Sequence, residues 1–323
     1  MIKVKKNIKK AEKITPKDDA FHGSKKHWAA EWWYFDGIFD NGYSVHAGFK
    51  TYSKKNHGFV SPIIEFYKDG EIEERIVKRY LFKNFETSHK KPIVKLFGKK
   101  IIEFDMEKYK KNNEWIYYID LDLGKNKVKL EFNGLTEGFK YVTENESWTV
   151  AQPKSTVSGE IVLNNKKMKV KGTGYHDHNW NYNLITIMNG WGWYWGRVTS
   201  KKYNIVWANI MKNKKEGELL AVVNIDKNGY YAIDPQKIEF KSEKYIRDHK
   251  RKTPTCFILK FEDIVKNRKI KAELKMQSYM THFNNVLIAP YWRYHVNSEG
   301  FISIDSKKEQ INKNQIMELL RFS

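Results

Sequence analysis

GTGYHDHNWNYNLITIMNGWGWYWG, residues 172–196, is the stretch from which the rest of the chain is best read. It carries two of the ten histidines and four of the eleven tryptophans. Its front half, Tyr175-His176-Asp177-His178-Asn179-Trp180, alternates as a strand does. At period two, His176, His178 and Trp180 share one face and Tyr175 and Asp177 the other. Its back half, Trp191 to Gly196, reads as the opening strand of a second domain. The stretch is a junction.

Strand signals separated by polar turns lie on both sides of it. An aromatic run at 32–35 reaches the turn Asp40-Asn41-Gly42 and returns from Tyr43, which is a β-hairpin. Further strands are expected over residues 59–67, 71–82, 101–106, 115–123, 127–132 and 160–163, with turns at Lys68-Asp69-Gly70, Lys111-Asn112-Asn113 and Gly124-Lys125-Asn126. Beyond the junction they are expected over 203–211, 219–225, 237–240, 256–261, 270–276 and 292–296, with a turn at Asp226-Lys227-Asn228-Gly229. Helices are expected only as short pieces, in the tail or in loops such as 243–250.

The two sides match each other. A shift of 160 residues lays Trp33 on Trp193, Tyr34 on Tyr194, Phe35 on Trp195 and Val45 on Ile205. A shift of 141 lays Gly159 on Gly300, Ile161 on Ile302, Val170 on Ile311 and Asp177 on Glu318. Matched starts and matched ends imply two copies of one strand-rich unit. A unit of about 140 residues with about eight antiparallel strands has the size of a lipocalin-type barrel, which can enclose one apolar ligand. The expectation is all-β: two tandem lipocalin-like antiparallel barrels at 23–180 and 181–323, behind a charged and mobile lead at 1–22.

Composition narrows the function classes. At 323 residues the chain can bury two ordinary cores. The single Cys256 excludes a disulfide framework and suits a reducing compartment. The charged N-terminus lacks the apolar core of a signal peptide, and no apolar run approaches bilayer length, so a cytoplasmic location is expected. A formal charge of +21 suggests nucleic acid, but eight arginines among 59 basic residues leave 51 lysines, the poorer readers of bases. Many of them alternate with apolar residues, as Lys167, Lys169 and Lys171 do around Met168 and Val170, and are solvated strand faces. No nucleic-acid role is expected, and peripheral contact with anionic membrane stays open.

The residues that carry the repeat also carry a resemblance. Glu31-Trp32-Trp33-Tyr34-Phe35-Asp36-Gly37 and Gly174-Tyr175-His176-Asp177-His178-Asn179-Trp180 resemble the two signatures of the hydroxyneurosporene synthase (carotenoid 1,2-hydratase) and AttH-like superfamily, which includes tocopherol cyclase relatives and lipocalin-like Diels-Alderases. Trp148 with Pro153, and the closing Ile316-Met317-Glu318-Leu319, resemble its lesser landmarks. The resemblance implies two lipocalin-like barrels with a ligand site near their interface. It also implies roles for a histidine and a tryptophan two residues on, which fall on His178 and Trp180, with an aromatic-x-acid pair on a following strand. That second pair falls near Trp207-Ala208-Asn209, where Asn209 stands in place of the acid. An amide cannot protonate an alkene.

Read residue by residue, the chain supports binding of a hydrophobic isoprenoid- or polyketide-like molecule. Cofactor-free hydration, cyclisation or isomerisation by a lyase or isomerase is one version, and a non-catalytic lipid carrier is the other. Asp177 or His178 would be the proton donor, its pKa moved by burial. Trp180, Trp193, Trp195 and Trp207 would line the cation-stabilising walls, with Trp33 and His176 beside them. In the blander reading Asp177 pairs with backbone or an arginine and the tryptophans fill the core. His176 and His178 could hold a metal only with ligands such as His46 or His282, so neither metal nor cofactor is expected. Glu31 reads as paired with a lysine outside the barrel. Arg293, flanked by aromatics, reads as a carboxylate clamp or as the partner of Asp177 or Glu318.

Overall fold

The computed structural model describes residues 11–142, 146–183, 186, 188, 190–213, 216–225, 229–286 and 289–322. The chain forms two compact units, which divide between residues 186 and 187. In the N-terminal unit, Ala29–Phe39 pairs with Tyr43–Lys54, and the sheet continues through His57–Lys68 to Glu71–Val77. On its other side, Ala29–Phe39 pairs with the distant Lys166–Asn183, followed by Ser147–Leu163, Lys127–Gly134, Ile116–Asp122 and Lys99–Phe104. The C-terminal unit repeats this order. Gly192–Thr199 lies between Tyr203–Met211 and Lys307–Arg321, and Ala289–Ile304, Arg268–Val286, Arg251–Val265 and Ile238–Asp248 follow outward. All these pairings are antiparallel, and the architecture is that of two tandem lipocalin-like barrels.

Alternation sets what each sheet encloses. In the N-terminal unit Trp33, Phe35, Phe49, Phe66 and Tyr117 turn inward, and in the C-terminal unit Tyr194, Trp207, Phe257, Trp292 and Leu319 do. Each such side chain stabilises its unit by about 1.5–3 kcal/mol on burial. Gly159 and Gly300, 141 residues apart, both take φ values (146° and 134°) that favour glycine, and a Cβ on either would strike the carbonyl oxygen of the facing strand, Lys129 or Glu273. The repeat is therefore written in backbone as well as in side chains.

One register differs from the gapless match. Trp33 faces His178 and Tyr194 faces Leu319 across the first and last strands. Tyr194, not Trp193, thus stands where Trp33 stands, so the shift on the first strand is 161. The second strand keeps 160, with Val45 and Ile205 both in their cores, and the second hairpin turn absorbs the missing residue.

Several local expectations are corrected. Residues 243–250 are not a loop helix, since 238–248 pairs along Arg251–Val265 and only His249 and Lys250 turn the chain, both at positive φ. Ladder hydrogen bonds outweigh a charged, weakly patterned sequence there. The tail is likewise a strand, Lys307–Arg321. The turn expected at Lys111-Asn112-Asn113 ends a helix, Met106–Asn112, capped by the Asp105 carboxylate on Lys108 N (2.9 Å) and closed by Asn113 at φ 56°. The strand expected over 71–82 stops at Val77. Residues 11–22 are not a free lead: Glu12–Lys13 pairs with Phe139–Val142, and a 3-10 turn, Pro16–Asp19, carries Asp19 into the interior. The turn at Asp226-Lys227-Asn228 lies outside the described residues. Among the described residues, no helix is long and apolar enough to cross a membrane.

Candidate functional site

The inward face of Lys166–Asn183 brings His176 and His178 into a core otherwise built of aromatic and aliphatic side chains. Phe35 stacks on His176 at 3.7 Å between centroids and Trp33 on His178 at 4.4 Å. Asp19 inserts between the two histidines from the N-terminal segment. Its Oδ2 accepts from Tyr117 Oη (2.6 Å) and lies 3.0 Å from His176 Nε2, while its Oδ1 forms an ion pair with His178 Nδ1 at 3.5 Å. His178 Nε2 meets Glu31 Oε1 at 2.9 Å, and the Glu31 carboxylate also accepts from the backbone N–H groups of His22 and Gly23, at 2.8 Å each. His176 Nδ1 lies 3.0 Å from the carbonyl oxygen of Tyr34. Asp19, His176, His178 and Tyr117 are all fully buried.

Burial sets the electrostatics. For His178 burial favours the neutral ring, but hydrogen bonds and charge from Asp19 and Glu31 override it and raise the pKa to about 9. Burial would likewise raise Asp19, yet the His176 charge and the hydrogen bonds from both histidines hold its carboxyl well below the usual range. Tyr117 is pushed well up, by burial first and then by the Asp19 charge. His22 is half-buried, stacked on Trp180 at 3.7 Å, and is lowered to about 4 by burial and the neighbouring His178 cation.

Asp177 faces the other way, as alternation requires. Its Oδ2 accepts from Trp148 Nε1 (2.8 Å) and Tyr175 Oη (2.7 Å), and its Oδ1 from Asn179 Nδ2 (3.1 Å). On that same outer face His46 Nδ1 lies 2.8 Å from Glu65, which also accepts from Tyr67 and Arg75. His46 is therefore not beside His176 and His178. Among the described residues no group of three or more histidine, cysteine or acidic side chains is placed to hold a metal.

The remaining sequence candidates belong to the C-terminal unit. Trp207 packs in its core at 5.0 Å from Phe240, and Asn209, buried on the same side of its strand, lies across from Tyr194. Trp193 and Trp195 alternate to the opposite face from Tyr194, so these tryptophans do not form one wall with Trp207. Arg293 pairs with Glu318 (2.9 Å), the acid that the repeat sets against Asp177. Glu31 is corrected: it pairs inside the barrel with His178, not outside with a lysine.

Sequence reasoning missed Asp19, His22 and Tyr117, and misplaced Glu31. Asp19 sits in a lysine-rich run where a buried carboxylate looks like a solvated one. The signal that could have found it is Thr15-Pro16-Lys17-Asp18, a capping box with proline at the first helical position, which announces ordered chain.

Solved structures share this architecture from end to end. A Nitrosomonas europaea protein provisionally called AttH is similar over 96% of this chain and 97% of its own, at TM-score 0.64 and 14% identity. CghA with Sch210972 is similar over 91% and 88%, at TM-score 0.62 and 10% identity. Kievitone hydratase from Nectria haematococca is similar over 97% and 96%, at TM-score 0.53 and 11% identity. At such identities the likeness is one of fold, the AttH-like tandem lipocalin-like fold that the sequence resemblance implies. No family model matches the sequence, and no curated protein matches it.

Proposed function

We propose that the chain binds a hydrophobic small molecule of isoprenoid or polyketide type, and that its buried polar groups serve cofactor-free hydration, cyclisation or isomerisation of that molecule. One observation carries the reading. A fold likeness spanning a hydratase and a protein solved with Sch210972 coincides with two histidines and two carboxylates buried on one face of the N-terminal sheet. The fold itself does not need them, because Met317 and Leu319 occupy the matching positions of the C-terminal unit. Burying charges costs several kcal/mol per ion before pairing offsets it. An imidazolium between two carboxylates can pass a proton without net charge separation, which suits proton-driven chemistry on an alkene.

The second reading is a carrier without turnover. It is favoured by the ion pairs themselves, since a His178 held protonated up to about 9 gives up its proton reluctantly near neutrality. Tryptophan fluorescence titrated with prenyl alcohols and polyketide-like phenols tests binding, and mass spectrometry of a solvent extract of the purified protein identifies what it retains. Micromolar quenching is expected, and the reading falls if no such molecule binds or is retained. An enzyme loses turnover but keeps ligand in Glu31→Gln or His178→Gln, whereas a carrier loses affinity in Trp33→Ala, whose ring stacks on His178.

A further inference from the structure

We propose that residues 11–23 occupy, from within the chain, a site for a free hydrophobic carboxylate, with Asp19 in place of the ligand's head group and Phe21 in place of its apolar body. This rests on the reading that the protein binds a hydrophobic small molecule, and it names the class and the place.

The head-group site belongs to the barrel. Tyr117 Oη, His176 Nε2 and His178 Nδ1 converge on one carboxylate from strands about 100 residues or more away in the chain, at 2.6, 3.0 and 3.5 Å. All three residues are fully buried, and Glu31 backs the His178 cation from its other nitrogen, so the cradle keeps a positive centre of its own. Such a set recognises any carboxylate presented to it, by charge-assisted hydrogen bonds. The apolar site is equally distinct. The Phe21 ring lies 5.4 Å from Phe85, 5.3 Å from His89 and 6.3 Å from both Trp33 and Phe82, and is nearly fully buried. Acid and ring are two residues apart, which gives the segment the head-and-tail character of a fatty or prenylated acid.

The segment that delivers them lies outside the long strands of the sheet. It precedes the first long strand, and its regular structure is a two-residue strand and a four-residue 3-10 turn. Besides Asp19 it is held by Trp33 Nε1 on the Asp19 carbonyl (3.0 Å), Thr149 Oγ1 on the Asp18 carbonyl (3.1 Å), Lys140 on Asp18 (2.8 Å), the two backbone bonds to Glu31, the Phe21 N–H on the Ser88 carbonyl (3.1 Å), His89 Nδ1 beside the Phe21 carbonyl (2.6 Å), the pairing of Glu12–Lys13 and the buried Ile14. Gly23, at φ +64°, ends it. A ligand that must displace this segment binds with an apparent affinity reduced by the fraction of chains in which the segment is out.

The test uses full-length protein with octanoate and 1-octanol as probes. Asp19→Ala leaves Tyr117 Oη and His176 Nε2 without their acceptor and His178 without one of its ion-pair partners. It is expected to melt below the wild type, to recover melting temperature with octanoate but not with 1-octanol, and to bind octanoate about tenfold or more tightly than the wild type does. Phe21→Ala keeps the anchoring carboxylate and so guards against loss of fold. It vacates the apolar half alone and is expected to bind octanoate about threefold more tightly. In the wild type, saturating octanoate is expected to speed amide exchange over residues 11–23. The proposal is overturned if acid and alcohol act alike on both variants, if neither variant gains affinity, or if octanoate slows exchange in that segment. Equal uptake of both probes by all three proteins would sink this proposal and leave hydrophobic binding standing. Uptake of no hydrophobic probe by any of them would sink both.

Discussion

The two units share a strand order and differ in what the last strand turns inward. In the N-terminal unit it presents His176 and His178, and in the C-terminal unit Met317 and Leu319, each pair beside the unit's own first strand. The aromatic facing the second of these positions is Trp33 in one unit and Tyr194 in the other. One topology therefore closes equally well over an ion network and over thioether and aliphatic carbon. What the difference teaches is that the charges are not a requirement of folding. Their partners, Asp19 and Glu31, come from the segment before the first strand and from the start of that strand. The N-terminal unit holds a polar interior that the C-terminal unit shows to be dispensable for architecture.

That contrast can be broken by substitution. His178→Leu alone copies the C-terminal residue but strands two buried carboxylates, and it is expected to cost the N-terminal unit about 3–5 kcal/mol in denaturant unfolding followed unit by unit. The pH series comes next. The folded pKa of His178 is raised from 6.5 to about 9, so the stability it lends is full below 6.5 and is lost as pH rises through 9. Asp19 is shifted the other way, so its contribution is present above 3.8 and is lost as pH falls through its lower folded value. The N-terminal unit is expected to weaken between 6.5 and 9 by an amount on the order of 3 kcal/mol, and a profile as flat as that of His178→Leu would contradict the network.

Replacing the whole network sharpens the comparison. With Asp19→Leu, Glu31→Gln, His176→Met and His178→Leu together, no charge is left stranded, and thermal unfolding is expected to show a neutral effect or a gain of about 1–4 kcal/mol. The smallest effect is expected in the other core. Asn209 is buried there, and its Oδ1 has no hydrogen-bond partner among the described residues. Asn209→Asp is expected to cost about 1–3 kcal/mol. Product analysis with a linear carotenoid precursor is expected to show no 1,2-hydration by the natural protein and a trace at most from this variant.

Much of the architecture was legible because alternation and duplication are both written in apolar residues. Period two alone separates His176 and His178 from Asp177, but it does not say which face is inward, and Asp177, read as a proton donor of the site, faces away from the histidines. The slip of one residue on the first strand was not legible, since Trp193-Tyr194-Trp195 offers an aromatic at either register. The strand at 238–248 carries charge on both faces at the edge of its sheet, where pattern says least. Half of the polar network could be read: two histidines spaced two apart on an aromatic strand are costly enough to stand out. Asp19 and Glu31 could not, because what makes a carboxylate special is where the chain carries it, and that is decided by contacts more than 140 residues away.

The pairing of first strand with last also bears on the order in which the units assemble. Most neighbours in each sheet are consecutive hairpins, which close quickly over short loops, whereas Ala29–Phe39 must wait for Lys166–Asn183 and Gly192–Thr199 for Lys307–Arg321. During synthesis the N-terminal unit becomes completable once residue 183 has left the ribosome, and the C-terminal unit only after residue 321. Until then each waits with its opening strand unpaired along one edge, the form in which a β-rich chain is most exposed to mispairing.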